Sequence, residues 1–215
     1  MQIKVIKKRV KNYRITVKGD GQVIFTAPIT ATERDINRFL EEKRGWIEKQ
    51  LAIVNQNKQL KSQITGILYE GVQYSFCHKP ATKGKFFIQD GTIYTSLRLD
   101  DLAVRQAWYK KLAQAKFSEY VAEYSAVMGV KINKIYIRNG KTRWGSCSTK
   151  GNVSFNLNLV KAPVEVAKYV VVHELCHLGN MTHNKAFWVA VGKYCPNYLN
   201  CRKWLKQKGN LLLDS

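Results

Sequence analysis

Acidic residues are scarce in this chain: 15 Asp and Glu stand against 36 Lys and Arg, leaving a formal net charge of +21. That surplus points to an anionic partner, whether a nucleotide, nucleic acid or another polyanion meeting the basic surface. Long apolar runs are missing, so no membrane span is expected. The opening residues, from Met1 to Arg9, lack the apolar core of a signal peptide, and the expected location is cytoplasmic. The five cysteines (77, 147, 176, 195 and 201) form no C-x-x-C pair. Their spacing argues against a disulfide framework or a zinc ribbon and for reduced thiols. Proline is limited to four residues, and neither a repeat nor a low-complexity tract is present. With 215 residues, 45% of them hydrophobic, the chain is long enough for one large domain or two small ones.

Histidine is rare as well, and its placement is the strongest signal. Of four histidines, three (173, 177 and 183) fall close together in His173-Glu174-Leu175-Cys176-His177 and the turn that follows. On a helix, residues four apart share a face, about 6 Å apart along the axis. Two imidazoles so placed can share one metal ion at about 2.0–2.1 Å each. Glu174 lies on the same flank, within reach of a water at the metal, while Leu175 points to the core. This is the layout of a hydrolytic zinc site. The third ligand follows by elimination: no Glu comes after Glu174, and the only later Asp is Asp214. That leaves His183. Gly179 is expected to end the helix in the left-handed conformation, letting Asn180-Met181-Thr182 carry His183 back. Three protein ligands and an open fourth position make a catalytic arrangement. Cys176 is the rival ligand, though buried helical thiols are more often packing residues. Cys147 as a thiol nucleophile lacks a second histidine cluster to serve as its base.

Loose alternation predicts strands at 3–8, 13–18 and 23–27, with a turn at Gly19-Asp20-Gly21. Thr32 reads as the cap of a helix running to about residue 55, followed by a polar loop at 56–65. Short strands broken at Gly71, Pro80, Gly84 and Gly91 follow. Asp100-Asp101 supplies two acids to the first turn of a long helix that Gly129 ends. Strands at 134–138 and 153–159 flank a loop, Pro163 opens the histidine helix, and further helices span about 185–195 and 198–208. Val170-Val171-Val172 has strand propensity, which the histidine pair overrides. The fold class is α+β, with a β-rich N-terminal module at 1–97 and a metallohydrolase domain at 98–215.

The pattern Arg143-Trp144-Gly145-Ser146-Cys147-Ser148, Asn156-Leu157-Asn158-Leu159, Pro163, Tyr169 to Leu178, Thr182-His183, Phe187-Trp188, Cys195-Pro196 and Trp204-Leu205 resembles the YgjP-like metallopeptidase family. More loosely it resembles SprT and WLM proteins of the same zincin group. Thr26-Ala27-Pro28 to Trp46-Ile47 is also similar to that family's N-terminal module. The resemblance implies a zincin-like core, a zinc-dependent hydrolase, His173, His177 and His183 as ligands and Glu174 as general base. Where relatives often have Asn-His-Ser, this chain has Thr182-His183-Asn184.

Three functions follow as alternatives. A metallopeptidase would use Zn2+ (or another divalent transition metal such as Ni2+) and an edge strand at 153–159 to pair with an extended peptide substrate. A nucleotide pyrophosphatase acting on UTP, an activity attributed to one family member, would use the basic surroundings: residues 135–200 hold only two acids, Glu165 and Glu174. A nucleic-acid-binding protein with a structural metal would need a fourth ligand, and only Cys176 is nearby. For the developing charge of a hydrolytic transition state, Arg143 is the first candidate donor and Tyr194 or Tyr198 the next. Trp144, Phe187, Trp188 and Trp204 read as core.

Overall fold

A computed structural model describes residues 3–83 and 85–213. Met1 and Gln2 of the N-terminal segment, the expected strand break Gly84 and the excluded ligand Asp214 lie outside the described residues. The first alternating stretches form β1 (Ile3–Lys8), β2 (Arg14–Val17) and β3 (Val23–Pro28). β3 is central, parallel to β1 and antiparallel to β2. Its alternate residues Val23, Phe25 and Ala27 are buried, the period of a strand with one covered face. Thr32 caps α1 (Glu33–Glu42) through a capping box with Asp35. The expected single helix is two: Lys43 breaks the run, and α2 (Arg44–Ser62) consumes most of the expected 56–65 loop. The reason is local composition, since residues 46–62 contain no Gly or Pro and the long polar side chains there are good helix formers.

The chain divides into compact units between Gln63 and Ile64, earlier than the boundary near residue 97 read from composition. β4 (Ile67–Tyr69), β5 (Val72–His78), β6 (Phe86–Gln89) and β7 (Thr92–Thr95) make one sheet of order β4-β5-β7-β6. Its two hairpins turn at Glu70-Gly71 and Asp90-Gly91, where all four residues have positive φ, as two-residue hairpin turns require. This sheet belongs to the second unit because its partners lie far along the chain. The Glu70 and Gly71 amides donate to the carbonyls of Val160 and Lys161 at 2.9 and 3.0 Å. Tyr109 Oη donates to Leu68 O at 2.7 Å, and Tyr69, Phe86 and Trp108 pack ring against ring.

The rest of the second unit builds the site. Asp101 is the cap of α3 (Leu102–Met128) rather than a first-turn acid, accepting from Val104 N at 2.9 Å, while Asp100 pairs with Arg98. Gly129 ends α3 in the left-handed conformation. β8 (Lys134–Arg138), β9 (Gly145–Cys147) and β10 (Asn152–Asn156) form a sheet of order β8-β10-β9. The expected 153–159 strand therefore stops at Asn156, whose side chain accepts from Asn158 N at 3.0 Å and starts a 3₁₀ turn over Leu157–Lys161. β10 is central, not an edge; the edges are β8 and β9, the latter supplied by the loop expected before β10. α4 (Val164–Cys176) carries the His173 motif through the middle of the unit. α5 (Lys185–Tyr194) and α6 (Tyr198–Leu212) follow, the latter running past its expected end. The architecture is mixed α+β, as the sequence predicts. Among the described residues, no helix is long and apolar enough to cross a membrane.

Candidate metal centre

α4 is apolar almost all round, with Val166, Val170, Val171, Val172 and Leu175 buried. A helix of that kind is a core helix, and burial between α3, α5 and α6 overrides the strand preference of its three valines. The position of His173 and His177 is therefore set by the best-packed element of the unit. Their ring centroids are 5.0 Å apart.

The turn after α4 differs from expectation. Gly179 does not adopt positive φ. Tight turns close instead through Leu178 N to Leu175 O and Gly179 N to Cys176 O, at 3.1 and 3.2 Å. The reversal is organised by Asn180, which the sequence reading treated only as part of a connecting tripeptide. Its Oδ1 accepts from Thr182 N and Thr182 Oγ1 at 3.1 and 3.0 Å, and its Nδ2 donates to Asn184 Oδ1 at 2.8 Å. Asn184 in turn accepts from Phe187 N at 2.9 Å as the cap of α5. The chain so folded brings His183 onto His173, Nε2 to Nε2, at 3.1 Å.

The three histidines together fit a metal ion. One ring nitrogen from each lies within 4.8 Å of those from the other two. Two nitrogens on one tetrahedral metal at about 2.0–2.1 Å sit roughly 3.3 Å apart, close to the 3.1 Å observed. His177 Nδ1 lies 3.1 Å from Asn180 O; a proton there leaves Nε2 unprotonated, the tautomer that a ligand needs. His173 Nδ1 is buried without a hydrogen-bond partner. Burial, then His177, His183 and Arg202, pushes His173 down to about 4. Desolvation, then the same kind of neighbours, lowers His183. At neutral pH both are uncharged imidazoles, as metal binding demands.

Glu174 is 5% exposed, and burial pushes its carboxyl up to about 7, with Arg143 acting against the rise. The strand β9 explains its orientation. A Cβ at Gly145 would lie 2.5 Å from Glu174 Oε1 and 2.7 Å from its Cγ, so the carboxylate lies in space that only glycine leaves open. Arg143 is exposed just before this strand. Burial raises the thiols of Cys147 and Cys176 to about 11, with Glu174 adding to the shift at Cys147. Neither is a thiolate at neutral pH, and Cys176 is not among the clustered ligands.

Aromatic residues that looked like core form the floor and one wall. Phe187 is fully buried and lies 5.0, 4.6 and 4.8 Å from the rings of His173, His177 and His183. Trp188 stacks on His183 at 5.7 Å and on Tyr198 at 5.5 Å, and Arg202 Cζ sits 4.8 Å from the Trp188 ring. Trp144 packs at Gly209 instead, and Tyr194 carries Lys193 over its ring at 5.1 Å. The sequence reading missed Asn180, Gly145 and Arg202 as site residues. Only the glycine within Arg143-Trp144-Gly145-Ser146 carried any sequence signal for such a role.

Set against known proteins, the YgjP-like metallopeptidase domain matches residues 11–208. Among solved structures the chain is similar to the metallopeptidase zymogen abylysin of Pyrococcus abyssi. Identity is 23%, covering 42% of this chain and 93% of that one, with a TM-score of 0.38. No curated protein sequence matches the chain.

Proposed function

The chain belongs to the YgjP-like metallopeptidase family, and from that membership we propose that it is a zinc-dependent peptide hydrolase with His173, His177 and His183 as metal ligands. The observation that carries the reading is the convergence of three imidazoles within 4.8 Å beside a buried carboxylate. A three-imidazole set suits zinc and also accepts nickel.

Bound zinc supplies Lewis acidity, polarising the oxygen that gains charge and acidifying the attacking water. Glu174 is the general base: its carboxyl, held near 7 by burial, takes the proton of that water and passes it to the leaving amine. The Gly145 gap holds the carboxylate at this task. β9, an edge strand directly beside Glu174, offers its free edge to an extended substrate backbone, the role that the sequence reading had given to β10. Arg143, exposed ahead of β9, faces the charge that develops at the scissile carbonyl.

A second reading, nucleotide pyrophosphatase, is favoured by one observation. No acid occurs between Leu175 and Leu213, so the surroundings suit phosphates. Zinc-loaded protein and Glu174→Gln, run side by side on quenched fluorescent peptides and on UTP, test both. We expect peptide cleavage to fall by about 10²–10⁴ in the variant with zinc content unchanged. Pyrophosphate release from UTP that vanishes in the variant, with no peptide cleaved, would replace the first reading by the second.

A further inference from the structure

A shallow groove of about 490 Å³, lined by Lys185, Trp188, Val189, Tyr198 and Arg202, opens beside the histidine cluster. Trp188 joins the two, since His183 stacks on it at 5.7 Å and the Arg202 guanidinium lies 4.8 Å from its ring. Lys185 is two residues beyond His183 at the start of α5. Both cations are exposed, and neither pairs with a carboxylate among the described residues. The cation–π contact with Trp188 positions the guanidinium and leaves N–H donors for a ligand. The apolar part of the groove, Val189 and the stacked pair Trp188–Tyr198, suits the aliphatic stem of a side chain. Extended chain advances about 3.3–3.6 Å per residue, so a peptide over the histidines reaches Arg202 within a few residues of the bond to be cut.

We infer that this groove is a specificity subsite that selects peptide substrates carrying a carboxylate close to the scissile bond, with Arg202 and Lys185 as its anchors. The carboxylate comes from an acidic side chain or from the C-terminus of a short peptide. The inference rests on the peptide-hydrolase reading, but its test does not depend on turnover.

Zinc-loaded Glu174→Gln protein is titrated with fluorescein-labelled peptides that carry Glu or Gln on either side of one central bond, each with a free or an amidated C-terminus. The acidic peptide is expected to bind about tenfold more tightly, the worth of one charge-assisted hydrogen bond, and the preference shrinks with added salt. A preference that follows the side chain or the free terminus identifies the source of the carboxylate. Arg202→Gln with Lys185→Gln is expected to bring the ratio below about twofold, and Arg202→Lys to restore part of it. Circular dichroism and zinc content verify the fold of each variant. Equal binding of all the peptides, Glu or Gln and free or amidated, or a preference unchanged in the double variant, overturns the subsite. Displacement of the peptide by UTP at lower concentration than by the acidic peptide itself overturns the peptide assignment in favour of a nucleotide. Cleavage by the Glu174 protein is scored separately: acid-selective binding without cleavage sinks the hydrolase reading and leaves the subsite standing.

Discussion

His173 lies in the last turn of α4 and His177 caps its end, both carried by a helix buried in the core, whereas His183 comes from an exposed turn held by one asparagine's hydrogen bonds. The same kind of proposed ligand is thus positioned in two physically different ways. In the helix, rigidity is inherited from the core, and a ligand cannot move without disturbing many contacts. In the turn, rigidity is local, resting on Asn180, Thr182 and Asn184. A site built from both kinds combines a fixed pair with a partner that can be lost without loss of the fold.

Removing ligands from each half tests this most severely. Both His177→Ala and His183→Ala are expected to abolish stoichiometric zinc binding, read by metal analysis. Only His177→Ala, 8% exposed and packed on Phe187, is expected also to lower metal-free stability, by about 1–3 kcal/mol. Equal loss of stability in the two would remove the distinction. Gly145→Ala attacks the proposed base and not the proposed metal ligands. The new methyl displaces the Glu174 carboxylate, so kcat is expected to fall by about 10²-fold or more with zinc retained. Asn180→Ala loosens the turn, and a 10–100-fold weaker zinc affinity at near-wild-type thermal stability is expected from competition with a chelator.

The smallest effect sharpens the contrast from the helix side. With its folded value raised from 4.5 to about 7, Glu174 binds more protons in the folded than in the unfolded metal-free protein between those pH values. Stability therefore falls as pH rises through that window, and the cost is complete above about pH 7. It amounts to no more than about 3 kcal/mol. Glu174→Gln is expected to stabilise the metal-free protein at pH 8 and to leave it unchanged near pH 4. Denaturant unfolding at both pH values measures this, and a variant equally or less stable at pH 8 would show that the carboxylate is not desolvated.

Much of the candidate centre was legible because its signals are local. The i, i+4 histidines require only a helix, and the lack of any Glu after Glu174, with Asp214 the only later Asp, singled out His183. The capping roles of Thr32 and Gly129 are likewise short-range. Gly179 misled because helix ends have several solutions, and here Asn180 supplies the hydrogen bonds that a left-handed glycine would have replaced. Residues 153–159 were read as an edge because nothing local marks Gly145–Cys147 as a strand. Its pairing with β10 is a contact between segments, visible only once both are folded.

By itself, the sequence singled out the side chains proposed to do the chemistry: two histidines and a glutamate at helical spacing and a third histidine just beyond, in an acid-poor stretch of a basic chain. Those are properties of neighbours along the chain, within reach of helix geometry and charge counting. Tertiary structure alone decided what surrounds them: Gly145 against the carboxylate, Phe187 beneath the imidazoles, Arg202 over Trp188, and the 67–95 sheet packed with the second unit. The reason is that burial and desolvation, which set the acidity of Glu174 and His173, depend on atoms brought together from distant parts of the chain.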